Sequence, residues 1–203
     1  MNGYKRILFL VLIMGAVAAI ATAAALTILY NTAFEEERAR LVVTVKSQAR
    51  LMEAIVRYEI GETENPDIAR NRTLSQIREA HLNYEGFGET GELTLAMRQG
   101  DEIVYILEHK NIYVGEPKPV PFNSKLAVPM RRALSGRSGT VVGLDYRGVR
   151  VLAAYEPVAV LDLGAVAKID LAEIRAPFIR ASIIVAVIAV LIVAVGTGFF
   201  FLV

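Results

Sequence analysis

The chain has no cysteine, no tryptophan, only two histidines and seven prolines in 203 residues. The missing cysteine excludes a disulfide framework and thiolate chemistry, and it leaves any zinc site to histidine and carboxylates alone. His81 and His109 lie far apart in sequence, so neither a metal nor a cofactor is expected. An excess of one charge is lacking too: 22 Lys and Arg stand against 21 Asp and Glu, a formal net charge of +1. With no basic stripe, nucleic acid is not an expected partner. What the chain has in quantity is apolar sequence, 54% of its residues, and the excess is concentrated at the two ends. Ile7 to Tyr30 and Ala181 to Val203 carry no charge at all. A bilayer core about 30 Å thick is crossed by roughly 20 apolar helical residues, so each run is long enough to span it.

Four regions follow: a short N-terminus (residues 1–6), a first transmembrane helix (7–30), a mixed-charge middle (31–177) and a second transmembrane helix (178–203). The middle has the size of one domain. Lys5 and Arg6 precede the first span while Glu35, Glu36 and Glu37 follow it. Short basic flanks stay cytoplasmic, so both termini are expected inside and the middle domain outside. Arg180, near the outer end of the second span, can snorkel to the headgroups. A cleaved signal peptide is the rival reading of the first run. Its apolar stretch, continuing through Leu26, Ile28 and Leu29, exceeds the roughly 7–15 residues of a signal core, so an uncleaved anchor is the reading adopted.

Within the middle, Phe34 to Ile60 has no Gly or Pro and reads as one long helix. Val42, Val45, Ala49, Met52 and Val56 recur at three- and four-residue steps, the spacing of a coiled-coil seam, and are expected to form a dimer seam. Leu41, Leu51, Ile55 and Tyr58 make a second stripe beside it. One stripe can pack on the domain's own sheet while the other meets a partner helix; one wide face buried in a single core is the plainer alternative. Gly61 to Asn71 reads as a loop, with Thr73 capping a short helix that ends near Leu82. Strands are expected at Leu93–Met97, Ile103–Glu108, Thr140–Leu144, Val149–Tyr155 and Leu163–Ile169. A proline-bearing loop covers Asn111–Asn123, and Ser124 is expected to cap a helix carrying Leu126, Met130 and Leu134. Asp170 is expected to cap the helix that leads into the second span, with Glu173 in its first turn. About five antiparallel strands in meander order with a long N-terminal helix make an α+β domain.

Several pieces in order resemble an extracytoplasmic Cache domain, the PAS-like sensor module of bacterial receptors. They are Gly88-Glu89-Thr90-Gly91-Glu92-Leu93, Met130 to Gly136 followed by Ser138-Gly139, Gly143 to Gly148, Val151 to Val158, and Leu163 to Asp170. The set covers Asn31 to Pro177 and is most similar to the single-Cache sensors of histidine kinases that carry PAS domains. The resemblance implies a two-pass receptor of a bacterial inner (plasma) membrane, its sensor domain periplasmic or extracellular, working as a homodimer in contact with lipid. It also implies signalling to a cytoplasmic output, a histidine kinase first, that does not lie within these residues; the chain is read as the sensor portion of a longer protein, the alternative being a truncated sensor.

In such domains a small ligand lies between one sheet face and the segments covering it, and organic acids and amino acids are usual. The family's amino-acid motif of Tyr, Arg, Trp and Asp is not visible here. Carboxylate recognition calls for cationic and hydroxyl donors, and the pattern nominates Tyr105, His109, Arg131, Tyr146, Tyr155 and Lys168 as ligand-binding residues. Four of them have a plainer reading: Tyr155 as a core aromatic with its hydroxyl at the rim, Lys168 pointing to solvent, His109 exposed at a strand end, and one of Arg131 and Arg132 solvated. Arg147 and Arg150 read as surface charge. No catalytic set is suggested, so the chain is not expected to be an enzyme. The rival to a sensor is a ligand-free structural or dimerisation module of a membrane receptor.

Overall fold

The computed structural model describes residues 3–62, 65–82, 86–107 and 118–202. It is an α+β chain with helices α1 (Gly3–Glu62), α2 (Pro66–Leu82), α3 (Val128–Leu134) and α4 (Leu171–Leu202). The strands are β1 (Glu92–Gln99), β2 (Glu102–Leu107), β3 (Val120–Pro121), β4 (Gly139–Leu144), β5 (Arg150–Val158) and β6 (Leu163–Asp170). Two compact units result, Met1–Glu35 with Arg175–Val203, and Glu36–Ile174.

The first unit holds the apolar parts of α1 and α4, both long and apolar enough to cross a membrane. Tyr30 meets Phe178 edge-on at 5.4 Å between ring centroids, and Arg175 Nε donates to the Tyr30 hydroxyl at 3.4 Å. Small residues such as Gly15, Ala19 and Ala23 of α1, with Ser182 and Ala186 of α4, line a groove between them.

The second unit is built on one antiparallel sheet of six strands in the order β3-β2-β1-β6-β5-β4. The five expected strands are present, and the sheet gains a short sixth, β3, in a segment read from sequence as proline loop. Pro121 fits there because β3 is an edge strand, where a missing N–H costs no ladder bond. The order is not one continuous meander. Two meander blocks, β1–β3 and β4–β6, join through β1 against β6, with Glu92 opposite Lys168 and Leu95 opposite Ala165. This places the first and last long strands side by side at the centre.

Both faces of the sheet are covered. Alternation along the strands sends Leu93, Leu95, Leu152, Ala154, Ala165, Ala167 and Ile169 to one face, all buried. Arg38 of α1 donates to Thr140 Oγ1 on this face at 2.8 Å, which sets α1 over it. α1 is continuous because no Gly or Pro lies between Gly15 and Gly61. Its residues Leu41, Val45, Ala49, Met52 and Val56 are buried within the chain, and Val42 is half-buried. The stripe expected to be a dimer seam is therefore an internal face: these side chains are already covered by their own domain. α2 joins α1 through Gln76 Nε2, which donates to Glu59 Oε1 at 2.9 Å.

The other face carries Ala96, Ile103, Val151, Ala153, Tyr155 and Val166, packed under Met130 and Ala133 of α3. α3 comes close because Gly164 lacks a side chain: a Cβ there would lie 2.8 Å from Met130 Sδ and 3.0 Å from Ala133 Cβ.

Three expected caps differ in the structure. α2 begins seven residues before Thr73, with Pro66 in its first turn, where proline costs no hydrogen bond. Thr73 is a buried interior residue whose hydroxyl donates to the Ala69 carbonyl at 2.9 Å. Ser124 Oγ accepts from Leu126 N–H, while α3 starts after Ala127, which is left-handed and gives no side-chain cap. The Asp170 carboxylate accepts from Arg147 Nη2 at 2.6 Å, so its role is an ion pair.

Candidate functional site

The polar residues of the α3 face gather around Lys168, in the middle of β6. Its neighbours along the strand are Ala167 and Ile169, and both strand faces are covered, so its ammonium is buried. Lys168, Glu92 and Asp145 are each 2% exposed. A lone ammonium at that depth would cost several kcal/mol; the structure supplies two carboxylates. Lys168 Nζ is ion-paired with Glu92 Oε1 from the facing position of β1 and with Asp145 Oδ2 from the turn after β4.

The turn Asp145–Gly148 folds around the same carboxylate. Asp145 Oδ1 accepts from the N–H groups of Arg147 (2.8 Å) and Val149 (3.0 Å). Arg147 Nε donates to Asp145 Oδ2 at 2.7 Å, and its Nη2 to Asp170 Oδ1 at 2.6 Å. Burial alone would raise the Asp145 carboxyl, but the charge and hydrogen bond of Lys168, with the hydrogen bonds from Arg147 and from the Val149 N–H, hold it below its ordinary value. For the Arg147 guanidinium, burial opposes the charge, and Asp145, Asp170 and Glu92 outweigh it, so its affinity for the proton rises.

Aromatic rings close the cluster. Tyr146 lies with its ring 4.5 Å from Lys168 Nζ, a cation–π distance, and 4.7 Å from the Tyr105 ring. Its hydroxyl donates to Glu92 Oε1 at 3.5 Å. The Tyr105 hydroxyl is pushed well above its ordinary range, first by burial and then by the charges of Tyr146, Asp145 and Glu92. Glu92 Oε2 is buried and has no hydrogen-bond partner among the described residues.

Of the six residues nominated from sequence, Lys168, Tyr146 and Tyr105 come together here. Tyr155 is a core aromatic whose hydroxyl accepts from Arg132 Nη1 at 3.4 Å. Arg131 faces away from the cluster: its Nη1 donates to the carbonyls of Phe122, Ser124 and Leu126 and ties that loop to α3. His109 lies outside the described residues. Lys168 is not solvent-facing, and Arg147 is not simple surface charge.

Glu92, Asp145, Arg147 and Asp170 were missed from sequence. One signal pointed to them: a lysine inside Gly164-Ala165-Val166-Ala167-Lys168-Ile169, a strand too apolar for one exposed face, requires buried acidic partners. Chemically, the cluster holds two cations and three carboxylates. The ammonium is already matched, so a ligand carboxylate would have to compete with Glu92 or Asp145 for it. Among the described residues no group of three His, Cys, Asp or Glu side chains could hold a metal. The chain matches no family model, no curated protein and no solved structure.

Proposed function

We propose that the chain is the sensor portion of a two-pass membrane receptor, with a Cache-like domain outside and both termini in the cytoplasm. The observation that carries this reading is the continuity of β6 with α4. The strand bearing the buried Lys168 ends at Asp170, and α4 begins at Leu171 with no linker. A ligand that shifts the ionic cluster acts on the strand from which the second span hangs. Binding would favour one arrangement over another, and differential affinity of about 1–3 kcal/mol suffices for a useful response. The output beyond Val203 is, on this reading, a histidine kinase.

The homodimer of this reading uses the outer side of α1. Val43 (68% exposed), Leu51 (54%) and Tyr58 (68%) are bare. With Ser47 and Ala54 they recur at four- and three-residue steps opposite the buried stripe. Two copies anchored in one membrane present these faces in parallel.

The test is a thermal-unfolding screen of the full chain in detergent micelles against small mono- and dicarboxylates. A compound at about 100 times its Kd stabilises by about 2.7 kcal/mol, roughly 5–10 °C for a domain of this size. The reading expects at least one such shift, reduced in Tyr105→Phe and Tyr146→Phe. No shift with any compound favours the ligand-free structural module.

A further inference from the structure

At the foot of α4 a second carboxylate makes contacts that the buried cluster does not need. Glu173, in the first turn of α4, reaches to the turn that leads into β1. Its Oε1 accepts from the Glu89 N–H at 2.9 Å, and its Oε2 accepts from the Thr90 N–H at 2.8 Å and from the Thr90 hydroxyl. Burial would raise this carboxyl; the Thr90 hydroxyl, the two backbone N–H groups and the charge of Arg40 hold it below its ordinary value. The turn is shaped for this occupant. Gly88 has φ +69°, and a Cβ there would lie 2.5 Å from Glu173 Oε1. Any side chain at position 88 would therefore strain the turn and displace the carboxylate.

Thr90 also faces the other way. Its Oγ1 accepts from the Asp170 N–H at 3.0 Å, and the Asp170 carboxylate is the one held by Arg147. A continuous chain of polar contacts results: Glu92 to Lys168, Lys168 to Asp145, Asp145 to Arg147, Arg147 to Asp170, Asp170 to Thr90, and Thr90 to Glu173. Glu92 and Thr90 are two residues apart, so the chain closes on itself. Four residues beyond Glu173, Pro177 has no N–H to give the Glu173 carbonyl. The first turn of α4 thus lacks one of its own hydrogen bonds and depends more on the side-chain grip.

We propose that the Glu173–Thr90 contact is a releasable clasp on the foot of α4, and that the buried ion cluster sets how firmly it holds. The clasp is built from charge-assisted hydrogen bonds at a partly exposed site, and opening it leaves Glu173 solvated rather than buried. Its far end is a network in which each charge has few alternatives, so a disturbance at Glu92 or Lys168 propagates through Arg147 and Asp170 to Thr90. The direction of the signal, from cluster to second span, rests on the sensor reading; the coupling itself does not, and its test uses no ligand.

Hydrogen exchange of the full chain in bilayer nanodiscs reads the clasp at the amides of residues 89–90 and 171–174. Glu173→Gln and Thr90→Val should each speed exchange there by about tenfold, the scale of one lost charge-assisted hydrogen bond. Arg147→Met, at the cluster, should speed the same amides while leaving those of β2 within twofold of the parent chain. In the double variant Arg147→Met/Glu173→Gln the factor should fall well short of the product of the single factors, because the clasp can be lost only once. Glu92→Gln, which keeps the shape of the side chain, repeats the test if Arg147→Met lowers overall stability. A double-variant factor equal to the product within twofold overturns the coupling, and unchanged exchange in Glu173→Gln and Thr90→Val overturns the clasp.

Discussion

The two faces of the central sheet are equally dry and held in different ways. Under α1, β1, β5 and β6 present mainly aliphatic side chains, with Glu156 of β5 the acidic exception beside Ala165, and aliphatic burial is worth about 25 cal/mol per Å² with little dependence on exact geometry. On the α3 side an apolar core is joined by an ionic cluster from β1, β6 and the turn after β4, whose members are stable only while every partner is in place. The aliphatic face degrades by degrees when one residue is trimmed. The ionic face is closer to all-or-none, and it is the face tied to the start of α4. A sheet built this way concentrates its sensitivity on one side.

Removal of the central charge should have the largest effect on that contrast. Lys168→Met leaves Glu92 and Asp145 buried without their shared cation and should cost about 3–5 kcal/mol, measured as a lowered urea midpoint of the full chain in micelles. Leu152→Ala, on the opposite face, should cost about 2–4 kcal/mol. Replacing all three charges, as Lys168→Met/Glu92→Gln/Asp145→Asn, should recover part of the loss from Lys168→Met, whereas no second change near Leu152 is expected to do so. Equal, unrecoverable losses on both faces would erase the distinction.

A smaller effect should separate the faces by pH. The Asp145 carboxyl sits below its ordinary value of 3.8 in the folded chain, so the unfolded state takes up its proton first as pH falls. Its contribution is complete well above pH 3.8 and is lost as pH drops through the lower folded value. The urea midpoint of the parent chain should therefore decline on acidification below about pH 4.5, and Asp145→Asn should make that acid limb shallower. Leu152→Ala should lower the curve without changing its slope. An unaltered acid limb in Asp145→Asn would show that the cluster does not store stability in the charged form.

Much of this architecture was legible in the sequence, for identifiable reasons. The two long apolar helical stretches, the length of α1 and the five longer strands follow from charge-free runs, the absence of Gly and Pro, and alternation, all of them local signals. Which stripe of α1 turns inward was not legible, because Val45, Met52, Leu51 and Tyr58 are all apolar and only the sheet's position decides between them. The pairing of β1 with β6 depends on a contact about seventy residues apart, which no local pattern encodes. Lys168 was nominated for the right chemistry, but its partners were hidden. Glu92 reads as the polar member of an alternating strand, and Arg147 reads as hairpin surface, until both sheet faces are known to be covered. Thr73 and Ser124 look like caps, yet each spends its hydroxyl on a local backbone group, the competition these residues show generally.

In the proposed coupling the ionic face, and not the aliphatic one, controls the foot of α4. The most direct test compares hydrogen exchange at residues 171–174 in Arg147→Met and Leu152→Ala, each at the denaturant concentration giving equal global stability. The account predicts faster exchange at these amides in Arg147→Met alone, with Leu152→Ala matching the parent chain. Equal exchange in the two variants would contradict it.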